Sequence, residues 1–192
     1  MAYKIHTAPT AEPVTIGEAK EQLGYLATQT LTDAETALIN SLIKTARQYV
    51  EDYTTRQIMS ATWELYLDAF STRKIYLEKS PVVAVSEIAY KDTNGDDQIV
   101  SLDDIALDIA YEPARLVPGY GITWPTTRTI ENAIKITFTA GYASSATVPS
   151  PIKSAILLIV AHLYENRGDE GHRTMPKTIQ YLLDPYCVIH FK

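Results

Sequence analysis

The sequence predicts an α+β protein, a helical core interrupted by an antiparallel β layer. Three observations carry this. Helical segments with strong start signals occupy both ends of the chain, and period-two alternation fills the middle. The elements also come in blocks, helices then strands then helices. Segregated blocks indicate α+β, whereas parallel sheets alternate strand and helix. The helical core is expected over residues 12–56 and 149–186, as two N-terminal helices, a long C-terminal helix and a short one. The β subdomain is expected as an insertion over 57–148.

Residues 1–14 carry Pro9 and Pro13 and read as an extended arm. Thr15 followed three positions on by Glu18 is a capping box. The threonine oxygen accepts from a free amide while the glutamate reaches back to the cap's own N–H. It opens a short helix ending near Tyr25. A second box, Thr32 with Glu35, opens a longer helix ending near Tyr53. Its apolar seam is Ile39, Ile43, Ala46, Val50 and Tyr53, widened by Leu38, Leu42 and Tyr49. Steps of three and four turn one side toward a partner.

The period then changes. In IMSATWELYLDAF, Met59, Ala61, Trp63, Leu65 and Leu67 alternate with Ser60, Thr62, Glu64, Tyr66 and Asp68. That is the pattern of a half-buried strand. RKIYLEK is a second strand. VVAVSEIAYKD and DQIVSL flank TNGD, where Asn94-Gly95 signals a tight turn because both residues accept positive φ. ARLVPG is a further short strand, and NAIKITFTAGY places Ile134, Ile136 and Phe138 on one face.

Helix returns at VPSPIKSAILLIVAHLYENRG, with Ser150 as N-cap, Pro151 at the first helical position and Gly168 as the stop. Between Ala155 and Ala161 this helix is apolar on every side, so its own chain or neighbouring subunits must bury it all round. PKTIQYLLDPY is a short helix, and CVIHFK ends the chain as a strand or docking tail. Repeats and low-complexity segments are absent from the sequence.

The 192 residues suffice for a core without disulfides or metals, since a chain of this size buries about 70% of its unfolded surface. Thirteen tyrosines against three phenylalanines favour half-buried positions and interfaces, where an apolar ring carries a polar tip. The formal charge of −6 argues against broad adhesion to DNA, which needs many phosphate contacts from Lys and Arg. The single Cys187 excludes an internal disulfide and a cysteine-based zinc cluster, and fits a reducing compartment. The start of the chain does not read as a signal peptide. The run AILLIVA is far shorter than the ~20 residues of a membrane span. The expectation is a protein made and used in a cytoplasm.

VAHLYENRGDEGHR offers several lures. Arg167-Gly168-Asp169 matches an adhesive triplet, but the bland reading is a helix stop whose charged neighbours keep the exit solvated. Arg167 also complements the helix dipole. His162 and Glu165 share a helix face, and with His172 they form the candidate for a metal-dependent hydrolase. A metal site needs three or more ligands, and His172 lies beyond a glycine break with no second pair in view. DTNGDD differs from a calcium loop: glycine falls fourth, Asp103 stands twelfth, and the flanks are strands. There is no Gly-x-Ser-x-Gly elbow, Walker A loop or Gly-x-Gly-x-x-Gly. Cys187 sits in an apolar stretch, a poor place for an activated thiol. Asp103-Asp104 reads as a solvated turn. Trp63 reads as core, while Trp124 before Pro125 suits local packing and a partner equally.

Taken in order, PVTIGEAKEQLGY, DAETALINSLIKTARQYVEDYTTRQI, WELYLDAF, IYLEKSPVVAVSEIAYKDTNGD, RLVPGYGITWP and IKITFTAGYASSATVPSPIKSAILLIVAHLYENRGD form a familiar series. The chain resembles the head–tail connector (adaptor, or head-completion) proteins of long-tailed bacteriophages and prophages, in the longer form with a β insertion. The likeness spans nearly the whole chain. It departs at EQLGY, where relatives often carry arginine after the leucine; Gly24 stands there instead and supplies no guanidinium.

The resemblance implies a virion part without catalysis, cofactor or metal. Such proteins form a ring, commonly of twelve copies, beneath the portal protein at the capsid vertex. The ring extends the DNA channel, helps retain the genome and docks the tail or a stopper protein; assembly takes place in the host cytoplasm. The helix apolar all round then finds cover from neighbours, with Ile156, Ile159, Val160 and Leu163 as the expected subunit interface. Ring closure repeats one heterologous contact, and carboxylates lining the channel let DNA slide past. The tail over 184–192 resembles the segment relatives insert into the portal, with Val188, Ile189 and Phe191 as expected contacts that order on binding. The alternatives are the hydrolase above, or a prophage-encoded DNA-binding or regulatory module.

Overall fold

A computed structural model describes residues 1–26, 28–70, 74–166 and 176–188. The chain divides into two compact units. The helical unit comprises Thr10–Met59 and Tyr142–Cys187; the strand unit comprises Met1–Pro9, Ser60–Gly141 and Val188–Lys192.

The helical unit contains α1 (Ile16–Gln22), α2 (Asp33–Thr54), α3 (Ser150–Glu165) and α4 (Lys177–Leu183). Both capping boxes form as the sequence predicts. Thr15 Oγ1 accepts from Glu18 N at 3.1 Å while Glu18 Oε2 accepts from Thr15 N at 2.6 Å. Thr32 and Glu35 repeat the arrangement at 3.2 and 2.8 Å. α1 stops at Gly24, whose φ of 77° suits glycine. Gly24 N bonds Glu21 O and Tyr25 N bonds Lys20 O, the paired bonds of a Schellman stop. The departure from the family at EQLGY therefore has a local use. α3 starts one residue earlier than expected: Pro149 is the cap, and Ser150 is the first helical residue. Its end is closed by Asn166, whose backbone and side-chain amides both donate to His162 O; Gly168 lies outside the described residues.

The seam of α2 packs as expected, with Ile39, Ile43, Ala46 and Val50 buried against Ile152, Ala155, Ile156 and Ile159 of α3 and Ile179 and Leu183 of α4. Each large aliphatic side chain so enclosed contributes about 1.5–3 kcal/mol. Lys153 of α3 reaches Glu18 of α1 at 2.7 Å, and the hydroxyls of Tyr25 and Tyr164 meet at 2.6 Å. One polar residue interrupts the core. Arg47 is 4% exposed and lies between Glu12, at 2.7 Å, and Glu51, at 2.6 Å. Glu51 also accepts from Ile58 N and Gln57 Nε2. Burial pushes the Glu51 carboxyl up, with Arg47 opposing.

The strand unit holds two antiparallel sheets. The larger joins β1 (Ala2–Thr7), β2 (Ala61–Leu67), β4 (Val82–Lys91), β5 (Asp97–Ile99) and β8 (Ile134–Ala140), in the order β1-β2-β8-β4-β5. The smaller joins β3 (Ile75–Leu77), β6 (Ile105–Asp108) and β7 (Ala114–Pro118), in the order β3-β7-β6. β8 is central and alternates as expected, burying Ile134, Ile136, Phe138 and Ala140 in one core with Leu65, Ile88, Leu77 and Leu116. The arm expected over 1–14 is in part an edge strand, β1. Tyr3 holds it in place: its hydroxyl donates to Tyr76 O and accepts from Glu78 N.

β2 departs from simple alternation. Glu64, expected toward solvent, is 8% exposed. Tyr66 donates to its carboxylate at 2.8 Å and His6 lies at 3.2 Å; the tyrosine bond is the largest influence holding its pKa down. In the β4–β5 turn only Gly95 takes positive φ, at 97°. Asp92 Oδ1 accepts the amides of Asn94, Gly95 and Asp96, so this carboxylate folds the turn.

Two outcomes test this core. Arg47→Ala leaves two carboxylates without their cation, so the unfolding free energy in urea falls by about 3–5 kcal/mol. Removing the Thr32 cap, as Thr32→Ala, costs only about 1 kcal/mol. The second concerns pH. Lys153 first, then the Thr15 amide, hold the Glu18 pKa below its ordinary 4.5. A depressed carboxylate stabilises the fold above its unfolded pKa and loses that effect as pH falls through the folded one. The melting temperature of Glu18→Gln therefore lies below wild type at pH 7, and the two converge under acid.

Candidate docking surfaces

The long helix α3 is apolar all round, but its own unit covers most of it. Ile156, Ile159 and Val160 are fully buried among α1, α2 and α4. They have no surface to offer a second subunit, which corrects the expected interface. The helices flanking α3 supply more cover than its short sequence neighbourhood indicates. Leu163 is half-buried and packs on the same core, as do Leu157 and Leu158. Only these partly covered side chains reach the outside of the apolar stretch.

The C-terminal segment leaves the helical unit from a fixed root. α4 runs into a 3₁₀ turn, Asp184–Tyr186. Tyr53, near the end of α2, donates to Asp184 Oδ1 at 2.6 Å, and Arg56 Nε donates to the Tyr186 carbonyl. The bond to Asp184 is the main cause that pushes the Tyr53 hydroxyl up to about 12. The Cys187 thiol donates weakly to the carbonyls of Tyr53 and Leu183, and burial pushes its pKa up, as expected of an inert thiol. Val188 follows, half-buried. Ile189 and Phe191, the other expected portal contacts, lie outside the described residues. Tyr53 and Arg56 escaped the sequence reading as anchors. The Asp184-Pro185 pair, a turn signal, is the clue that pointed to a fixed root there.

The metal candidate does not assemble among the described residues. His162 Nδ1 faces Asn166 Nδ2 at 3.3 Å, at the end of its own helix. Glu165 is exposed and His172 lies outside the described residues, as does the Arg167-Gly168-Asp169 triplet. No three His, Cys, Asp or Glu side chains gather as a metal site among the described residues. No helix there is long and apolar enough to cross a membrane.

The strand unit carries a groove of about 790 Å³ beside the loop after β7. Phe70 and Trp124 stack on its floor with ring centroids 4.7 Å apart and planes 2° from parallel. Trp124 thus packs locally. Its indole N–H is buried without an acceptor among the described residues. Ile122, Ile130, Pro118 and Thr127 complete the walls. Trp63 joins the core as expected, with Lys79 over its ring at 4.8 Å.

These features define an assembly protein, one whose distinctive parts are surfaces for other chains. The family model for the head completion protein matches residues 15–185. The chain belongs to that family and is a structural head–tail connector of the bacteriophage type. No curated protein matches the chain. Among solved structures, its fold is similar to a chain in the neck of an empty gene transfer agent (GTA) particle computed with C6 symmetry, with a TM-score of 0.82. It is also similar to a chain in the virion of a native GTA particle, at 0.81, and to one in the native neck computed with C12 symmetry, at 0.75. In each case the identity is 24%, and the match covers 100% of this chain and 98% of the other.

One outcome tests the C-terminal root. Tyr53→Phe removes a hydrogen bond worth about 1–3 kcal/mol to a charged acceptor. Amide exchange at residues 184–188 then speeds up, while the amides of α2 before residue 50 keep their protection.

Proposed function

We propose that this protein forms a ring of twelve copies beneath the portal protein at the vertex of a long-tailed phage, prophage or phage-like particle. It extends the DNA channel and docks a stopper or tail-completion protein on the far side. It acts by assembly, without catalysis, and joins the virion from the host cytoplasm. The observation that carries this reading is the family match across residues 15–185. The necks computed with C6 and C12 symmetry, in which chains of similar fold occur, support a ring. The charge of −6 suits a channel wall that repels DNA and lets it pass.

In this reading the C-terminal residues Val188, Ile189 and Phe191 engage the portal. Tyr53 and Arg56 support the idea by fixing where that segment begins. A fixed root lowers the entropy lost when the segment docks, because fewer residues must be ordered. Contacts between copies draw on side chains that stay partly open, such as Leu163, and on the surface of the strand unit.

A truncation after Cys187 tests the portal contact. It keeps Asp184, Tyr186 and the thiol in place, so the fold and melting temperature stay as in the full chain. Co-sedimentation with the purified portal is expected to be lost. Retained binding at full-chain affinity contradicts the assignment.

A further inference from the structure

We infer that the strand unit carries both halves of a head-to-tail contact between copies, the β6–β7 hairpin tip of one chain entering the Phe70–Trp124 groove of the next. The inference rests on the ring reading above and names the surfaces that close the ring.

The register places these surfaces apart. β6 pairs with β7 from Asp108↔Arg115 at one end to Ile105↔Pro118 at the other. The tip, residues 109–113, projects beyond the first end. The groove begins at Pro118, beyond the second. Four steps of β7 separate them, roughly 13 Å of strand. A heterologous contact needs two different surfaces facing different ways on one rigid element, and this sheet supplies them.

The tip is a preformed knob. Ile109 is 59% exposed and Tyr111 46%. Arg115 stacks over the Tyr111 ring at 4.2 Å and pairs with Asp108. The Tyr76 ring lies 6.5 Å from Tyr111. A side chain held this way loses little freedom on binding. The groove is apolar on its floor, with Ile122 and Ile130 exposed at its rim. About 790 Å³ accepts an isoleucine and a tyrosine side chain together. The carbonyls at a hairpin tip lie outside the β ladder, and the Trp124 indole N–H is a donor in need of an acceptor.

Size decides when the contact operates. A stable pair buries about 800 Å² on each partner, more than one tip in one groove provides. Two free copies therefore bind weakly. Copies held side by side on a vertex make the same contact at high effective concentration, and each copy gives and receives once.

The test uses the full chain with Tyr111→Cys and Ile122→Cys, assembled on the purified portal and oxidised. Rings are first checked by electron microscopy, then run on a denaturing gel without reductant. A ladder of covalent multimers is expected from the double variant. Each single variant, which retains Cys187, should run as monomer. Ile122→Asp should lower ring yield at least tenfold, whereas Val83→Asp, on an exposed position of β4, should leave it unchanged. Rings that form normally but give no ladder, together with full ring yield from Ile122→Asp, overturn this contact and leave the ring intact. A wild-type chain that forms no ring at all fails the proposed function itself.

Discussion

One buried cation holds the helical unit together where the chain enters and leaves it. Arg47 sits between Glu12, on the segment leading into α1, and Glu51, one turn further along α2. Glu51 in turn holds the amide of Ile58 and the side chain of Gln57. Ile58 then accepts from Tyr142 N, the first residue of the returning chain. Three strands of covalent connection thus meet around a single guanidinium. Its five donors in a planar fork suit two carboxylates at once, which a lysine cannot match. A cation this buried is tolerable only while both acids stay in place.

That arrangement explains how a long β insertion interrupts a small helical core without pulling it apart. The exit at Met59 and the return at Tyr142 are joined by a parallel bridge, so the insertion starts and ends at one point. The strand unit then builds its own core from Leu65, Ile88, Ile136, Phe138 and Leu116 and does not depend on the helical seam. For a connector, this leaves two bodies of different character. One anchors the C-terminal segment, and the other carries an exposed hairpin and a groove.

Much of this was legible in the sequence, and what was legible was local. Both capping boxes, the seam of α2 and the alternation of β8 follow from residues within one or two turns of each other. Gly24 was noticed as a departure, but its role as a helix stop needed the backbone. What escaped was long-range. β1 alternates Tyr3 and Ile5 with Lys4 and His6, yet it becomes a strand only by pairing with β2, far along the chain. β6 is four residues long and depends on β7. The Arg47–Glu51 spacing was visible, but the burial of Arg47 depends on Glu12. The apolar girth of α3 was read correctly; which neighbours cover it was not, because α1, α2 and α4 converge on it from both ends of the sequence. At the docking surfaces, the sequence marked the C-terminal tail but not its root at Tyr53 and Arg56.

The account stands on the chain acting as a ring on a portal. Electron cryomicroscopy of the full-length protein mixed with its portal examines this most directly. The account predicts a second ring stacked coaxially on the portal, with one copy of this chain per repeat and an open channel through both. A well-folded protein that leaves every portal bare at concentrations well above those of the particle would contradict it.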